Sequence, residues 1–432
     1  MAFLQIQSDN PNFSFILKKN PSSGMQTKSV RKGIAFGYYS DEDHTYNIFF
    51  KDAANEISYP EFKDQEFEYT NTTRYASSLF VINAISDFVR DALKKQTEHD
   101  VEGYSNTVIL NMMLLENQRV LSAFKFHFND VCTISEVSLT GKYYRITFNT
   151  KKPINYLLNM VNLFASFIVM KNESEYLYID EETVEKYFQS LQVIDAPYFI
   201  RYSFKTDLLR GPKLFDKYKP LLETSSRYPI RMVFGDTIKM RYDWVASKIS
   251  TEHNIVDVGC GSGKYVFNLA PRLNKGCQYI AIDTDPDIRD SLNNKVKIKE
   301  LSNVVVLDNI DAVPTFAGSN TEPIDFLLTE VLEHMPLTEA MSTLQKCLNH
   351  PRFNAAYITT PNKDFNPFYF DSETQLRHSE HIFEFTECGF IEWLQSFDMP
   401  LCVIYCPIGD IVDGKPTTLG AIVTRKEVVD VI

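Results

Sequence analysis

Ile255-Val-Asp-Val-Gly-Cys-Gly-Ser-Gly263 decides the fold. An apolar run of strand length ends in three alternating glycines, and Tyr265 to Leu273 then follows with helical character. Working outward, Tyr279-Ile-Ala-Ile-Asp283, a helical Ile288 to Val296 and Val304-Val-Val-Leu-Asp308 repeat the alternation. Ile324-Asp-Phe-Leu-Leu, a helical Leu337 to Leu348 and Ala355-Ala-Tyr-Ile-Thr continue it. Strands alternating with helices of this length are βαβ units, which predict a doubly wound parallel sheet.

Gly259, Gly261 and Gly263 allow a tight turn and close approach to a ligand that a Cβ would repel. Asp257 precedes them, and Asp283 and Asp308 end the next two strands. Ligands of such sheets bind beyond the carboxyl ends of the strands, so the three acids are expected to converge there. A carboxylate at Asp283 can accept hydrogen bonds from ribose hydroxyls. The G-x-G-x-G spacing with an acid before it suits a cationic cofactor better than a dinucleotide pyrophosphate. Ordinary turn glycines and a nucleotide site share parts of the pattern. The segment resembles motif I of the S-adenosylmethionine-dependent, class I methyltransferases.

A second cluster follows. In Thr329-Glu-Val-Leu-Glu-His-Met335, a helical turn would put Glu330, Glu333 and His334 on one face. Their charges would repel unless a cation lay between them. Arg377-His-Ser-Glu-His-Ile-Phe-Glu-Phe385 adds His378 and His381. A mixed oxygen and nitrogen donor set suits Mn²⁺ or a similar octahedral ion. An exposed, Glu-rich helix start and hydrogen-bonding loop histidines give the same spacing.

The rest of the chain sets limits. At 432 residues, 44% hydrophobic and 23% charged, it is long enough for two globular domains. The densest apolar run, Tyr156 to Met170, is broken by Asn159 and Asn162, which argues against a membrane span. No secretory signal is visible at the start, and seven scattered cysteines fit reduced thiols, so a cytoplasmic location is expected. Cys402 and Cys406 lack a second Cys or His pair nearby, which disfavours structural zinc. Residues 1–250 carry 30 basic and 30 acidic side chains, whereas residues 251–432 carry 14 and 26, the whole net charge of −12. Residues 201–250 alone hold 11 basic side chains, among them Arg201, Lys205 and Arg241. Such a segment can track a phosphate backbone or form a solvated helical face.

Towards the N-terminus, Ser14 to Leu17, Gly33 to Tyr39, Tyr46 to Phe50 and Tyr143 to Phe148 read as strands. Thr72 to His99 and Ile154 to Met170 read as helices. The expected organisation is an N-terminal α+β domain over residues 1–228 and a C-terminal domain over residues 229–432, an α/β chain as a whole.

Together, Glu330-Val-Leu-Glu-His334, Thr359-Thr-Pro-Asn-Lys-Asp-Phe-Asn366 and the Arg377 to Thr386 segment resemble the small-RNA 3′-terminal ribose 2′-O-methyltransferases. Phe13-Ser-Phe-Ile-Leu-Lys-Lys-Asn-Pro21 and Gly33-Ile-Ala-Phe36 are similar, more loosely, to the bacterial branch. The resemblance implies a class I (Rossmann-like) methyltransferase domain behind the N-terminal domain. It implies metal-dependent methylation of an RNA 3′ end in RNA repair, with polynucleotide kinase-phosphatase and RNA ligase subunits as partners and a ligase-supporting N-terminal domain. Its cofactor site implies Asp257, Gly259, Gly261, Gly263, Asp283 and Asp308 for S-adenosylmethionine. Its metal ligands, for Mn²⁺ or Mg²⁺, fall on Glu330, Glu333, His334 and His381. Arg377 and His378 would line the end-nucleotide pocket, with His334 and His381 as catalytic imidazoles. Where the family usually has Arg, this chain has Glu387, which replaces a phosphate contact by a like charge. A small-metabolite methyltransferase and a non-catalytic ligase activator are the competing readings.

Overall fold

The computed structural model describes residues 4–30, 33–40, 44–52, 76–173, 175, 181–313, 322–369 and 376–426. The chain divides into two compact units, Met1–Arg227 and Tyr228–Ile432.

The first unit is built on seven strands: β1 (Leu4–Ser8), β2 (Gln26–Val30), β3 (Gly33–Ser40), β4 (Thr45–Asp52), β5 (Asn106–Leu114), β6 (Thr133–Thr140) and β7 (Tyr143–Thr150). They lie in the order β2-β3-β4-β1-β5-β7-β6, and every neighbour pair is antiparallel. The helix Ile154–Lys171 is buried almost all round. It is long and apolar enough to cross a membrane, yet 83% of it is buried inside the protein. Most of its polar groups are satisfied inside, Asn162 Oδ1 being left without a partner. Asn159 Nδ2 donates to the carbonyls of Leu93 and Asn155, Asn162 Nδ2 to Ser190 Oγ, and Ser190 Oγ to Asn159 Oδ1. A buried amide left unpaired would cost about 1–3 kcal/mol, so this ladder lets asparagine occupy the core.

Several readings of the sequence are corrected here. Ser14 to Leu17 is not a strand but part of a helix, Phe13–Leu17, closed by Lys18 in the left-handed region at φ 54°. Phe13, Ile16 and Leu17 are its buried residues, a helical spacing that so short an apolar run conceals. The expected helix from Thr72 to His99 is three pieces, Ser78–Asn83, a π turn Ala84–Phe88 and Arg90–Lys94. Its first residues, 72–75, lie outside the described residues. Arg201 and Lys205, counted with the basic segment, are buried. Arg201 pairs with Asp195 at 2.8 Å and donates to the carbonyls of Leu221 and Leu222, so its charge holds the unit together.

The second unit contains β8 (Ile230–Arg231), β9 (Asn254–Val258), β10 (Tyr279–Ile282), β11 (Val304–Leu307), β12 (Ile324–Thr329), β13 (Phe353–Pro361), β14 (Leu401–Val412) and β15 (Lys415–Arg425). Their order is β11-β10-β9-β12-β13-β15-β14-β8. The first five are parallel, as the alternation predicts. Beyond β13 the doubly wound parallel sheet is extended by the antiparallel strands β15, β14 and β8. Asp413 and Gly414, at φ 51° and 77°, make the tight turn that joins β14 to β15. Both faces of the sheet are covered. Val256, Ile280, Phe326 and Leu328 pack with Leu344, Leu348 and Trp393, while Ile255, Tyr279, Ala281 and Leu327 pack with Val245, Leu269 and Leu292. This double burial is why the strands read as continuous apolar runs. Strand order reverses between β9 and β12, which creates the switch point where ligands of such sheets bind.

Candidate active site

The turn after β9 stands at that switch point. Gly259, Gly261 and Gly263 have φ of 71°, 51° and 82°, a region that side chains rarely adopt. A Cβ on Gly259 would stand 2.6 Å from Val331 Cγ2, and one on Gly263 would stand 2.4 Å from Leu292 Cδ1. A Cβ on Gly261 would meet nothing within 4 Å. The first and third glycines are therefore needed by the fold, while the second faces open space where a ligand can approach the backbone.

Asp283 and Asp308 follow the last residues of β10 and β11, which are paired in register at Ile282 and Leu307. Asp283 Oδ2 accepts from Gly261 N at 2.9 Å and Oδ1 from Asp285 N at 3.0 Å, so the carboxylate is fixed against the turn with lone pairs to spare. Asp308 is exposed and accepts from Asn309 Nδ2 at 2.6 Å. Asp257 departs from the expected convergence: it lies within β9, opposite Ala281, beneath the turn. It is buried, with Tyr279 Oη donating to its Oδ2 at 2.8 Å and its Oδ1 without a partner. Burial pushes its carboxyl up to about 7, with the Tyr279 hydrogen bond opposing and the Asp283 charge adding.

Beyond β12 the chain turns sharply. Glu330 sits in the left-handed region at φ 56°, strained for a residue with a Cβ, and the short 3-10 turn Leu332–His334 follows. The ligating atoms of Glu333, His334 and His381 all lie within 4.8 Å of one another. Glu333 is fully buried; its Oε2 accepts from Thr360 Oγ1 at 3.1 Å and its Oε1 has no partner. Burial, and then the Glu330 charge, hold its pKa well above the ordinary carboxylate range. His334 is exposed, and its ring centre is 4.9 Å from that of His381. Burial of part of the ring and the neighbouring His381 keep the His334 pKa below the usual value.

Glu330 stands apart from this trio. Its Oε2 pairs with Arg241 at 3.1 Å and its Oε1 accepts from Thr359 Oγ1 at 3.3 Å. Arg241 comes from the helix Thr237–Lys248, so one cation of the basic segment is engaged here.

Arg377 and His378 occupy different surroundings. Arg377 donates from Nε to Asn366 Oδ1, from Nη1 to the Thr417 carbonyl at 2.7 Å and from Nη2 to the Asn362 carbonyl at 2.9 Å. It thus fastens the histidine-bearing loop to the ends of β13 and β15. His378 is exposed, its Nδ1 accepting from Glu380 N, with its ring 5.7 Å from that of His381. Glu387 opens the helix Glu387–Gln395, where an acid complements the helix N-terminus. Its local fit there accounts for the acid without any ligand. Sequence reasoning passed over Glu384, whose Oε1 lies 2.6 Å from His381 Nδ1. An acid three residues beyond a candidate ligand was the signal available. Burial works to raise the Glu384 pKa, but hydrogen bonds from His381, Asn366 and the Arg377 amide outweigh it and hold the group below its usual range.

Comparison with known proteins places the chain. Residues 3–227 match the Hen1 N-terminal domain and residues 255–352 a methyltransferase domain. A small RNA 2′-O-methyltransferase of Tetrahymena thermophila is 28% identical over 190 residues, covering 38% of this chain and 44% of that protein. A tRNA (guanine-N(7)-)-methyltransferase of Desulfitobacterium hafniense is 27% identical over 145 residues, 33% of this chain and 64% of that protein. The chain thus aligns with less than two thirds of the length of these curated relatives. A chain of the Pnkp1/Rnl/Hen1 RNA repair complex is similar at a TM-score of 0.79 and 26% identity, covering 98% of this chain and 100% of that one. With just over half of its residues in the first of these matches, and a class I methyltransferase fold behind it, the chain belongs to the Hen1 N-terminal domain family.

Proposed function

We propose that the second unit transfers a methyl group from S-adenosylmethionine to the 2′-hydroxyl of the 3′-terminal ribose of RNA, aided by Mn²⁺ or Mg²⁺. S-adenosylmethionine is the methyl donor that goes with the methyltransferase domain matched at residues 255–352. The observation that carries the reading is the orphaned, buried Oε1 of Glu333, set among two imidazoles on the loop that packs against the glycine turn. A buried carboxylate oxygen without a donor is costly, and a divalent cation would relieve it. The donor set of one carboxylate and two imidazoles, with His334 exposed to water, fits such an ion.

The residues divide the work. Gly261 offers open backbone to the cofactor, and Asp283 accepts its ribose hydroxyls. Asp308 stands beside Asp283 for the adenine end, and Asp257 steadies the turn from below. Glu333, His334 and His381 would hold the cation, and Glu330, now paired with Arg241, would be the fourth ligand. A cation bound there lowers the pKa of a ribose hydroxyl and fixes its aim. His334, neutral at pH 7, is in the form that either ligates or accepts a proton. Only a terminal ribose carries both free 2′- and 3′-hydroxyls, so a site that reads them would be blocked by a 3′-phosphate. Arg377 holds the loop, and His378 is left exposed towards an incoming strand.

We further propose that the chain acts in RNA repair beside kinase-phosphatase and ligase subunits. Similarity over 100% of a chain from the Pnkp1/Rnl/Hen1 RNA repair complex supports this. The test is separation of the two sites. Glu333→Ala and His334→Ala should abolish methyl transfer while calorimetry still detects S-adenosylmethionine binding. Loss of cofactor binding in a folded variant would sink the division of labour.

A further inference from the structure

Glu384 belongs to neither the cofactor turn nor the ligating trio, yet its side chain is fully buried and all its bonds point the same way. Oε1 lies 2.6 Å from His381 Nδ1 and accepts from the Arg377 amide at 2.6 Å, and Oε2 accepts from Asn366 Nδ2 at 2.5 Å. Asn366 is held in turn by Arg377 Nε, and Arg377 is tied to Asn362 and Thr417 carbonyls. From the other side the Ile382 amide donates to the Glu333 carbonyl at 2.8 Å. His381 is therefore clamped between a carboxylate behind it and the Glu333 turn in front.

We propose that Glu384 is a positioning residue for the cation site, fixing His381 with its proton on Nδ1 and its Nε2 turned to Glu333 and His334. An ionised carboxylate can only accept, so the shared proton sits on the imidazole. The Nδ1–H form leaves Nε2 as the lone-pair nitrogen. The negative charge makes that nitrogen a stronger donor to a metal, and the clamp removes rotamer freedom that ligation would otherwise have to freeze. A partner of this kind sets metal affinity by roughly ten- to a hundredfold. The inference rests on the cation reading above.

The hydrogen-bond pattern allows a variant that keeps the packing and moves the charge. In Glu384→Gln alone, the new amide would confront Asn366 Nδ2, donor against donor. Adding Asn366→Asp restores an acceptor there, still able to receive Arg377 Nε, while His381 now faces a neutral amide oxygen. Mn²⁺ alone should be titrated into the full chain and followed by electron paramagnetic resonance, with S-adenosylmethionine binding as the folding control. Wild-type chain should bind Mn²⁺. Glu384→Gln and the double variant should both bind it about ten- to a hundredfold more weakly, with cofactor affinity unchanged, although the double variant melts like wild type. Wild-type Mn²⁺ affinity in the double variant would overturn the proposal and reduce Glu384 to a structural role. Failure of the wild-type chain to bind Mn²⁺ would overturn the cation reading itself, and this proposal with it.

Discussion

Gly259 and Val331 touch so closely that a methyl group on the glycine would lie 2.6 Å from Val331 Cγ2. Val331 stands between Glu330 and Glu333, so the glycine turn and the carboxylate loop are packed as one piece. The proposed cofactor turn and the proposed cation site are thereby held in fixed relation by the fold.

Gly259→Ala should therefore damage both functions. The substitution forces a left-handed backbone at φ 71°, costing about 1–2 kcal/mol, and overpacks Val331 for about 1–3 kcal/mol more. Gly261→Ala pays only the backbone cost, because its Cβ meets nothing within 4 Å. Thermal melts should show the first variant clearly less stable than the second. Calorimetry should nevertheless show both losing S-adenosylmethionine affinity. Unaltered cofactor binding in Gly261→Ala would mean that the open space beside the turn is not the ligand site.

Arg241→Met should lower the stability of the cation-free chain by about 2 kcal/mol, since Glu330 would lose its partner in a pair only partly exposed to water. The same change adds a net negative charge beside Glu333, so Mn²⁺ should bind more tightly and restore much of the lost stability. Melting temperatures in EDTA and in Mn²⁺ check this. An equal deficit in both would show that Glu330 stays out of the cation site.

Asp257 supplies a pH signature. Its folded pKa, about 7, lies above the unfolded value of about 3.9. The folded state thus holds the proton more tightly, and this group's contribution to stability is fully present below about pH 4 and is lost as pH rises through about 7. Asp257→Asn, which cannot ionise, should show a flatter profile over that window and a gain relative to wild type at about pH 8. Parallel profiles for the two proteins would contradict the burial argument.

How much of this was visible in the sequence follows from the range of the interactions. The parallel strands were legible because burial on both faces leaves unbroken apolar runs such as Ile324 to Leu328. The glycine turn and the Glu333, His334 pair were legible because their spacing is local. Glu330 was not separable from its neighbours, since what draws it aside is Arg241, far away in sequence on another helix. Asp257 read as a strand-end acid because nothing local shows that Tyr279 bonds it from the adjoining strand. The helix Phe13–Leu17 was missed for want of length, a single turn being too short for periodicity to declare itself. The antiparallel strands β14 and β15 carried a usable mark, Asp413-Gly414 between apolar runs, that the search for βαβ units passed over.

The most direct measurement uses labelled S-adenosylmethionine with the full chain and two short RNAs, one ending in free 2′,3′-hydroxyls and one in a 3′-phosphate, each with Mn²⁺ or EDTA. Label should enter only the hydroxyl-ended RNA and only with Mn²⁺. Label entering either RNA in EDTA, or both RNAs equally, would contradict a cation-held terminal ribose as the centre of this site.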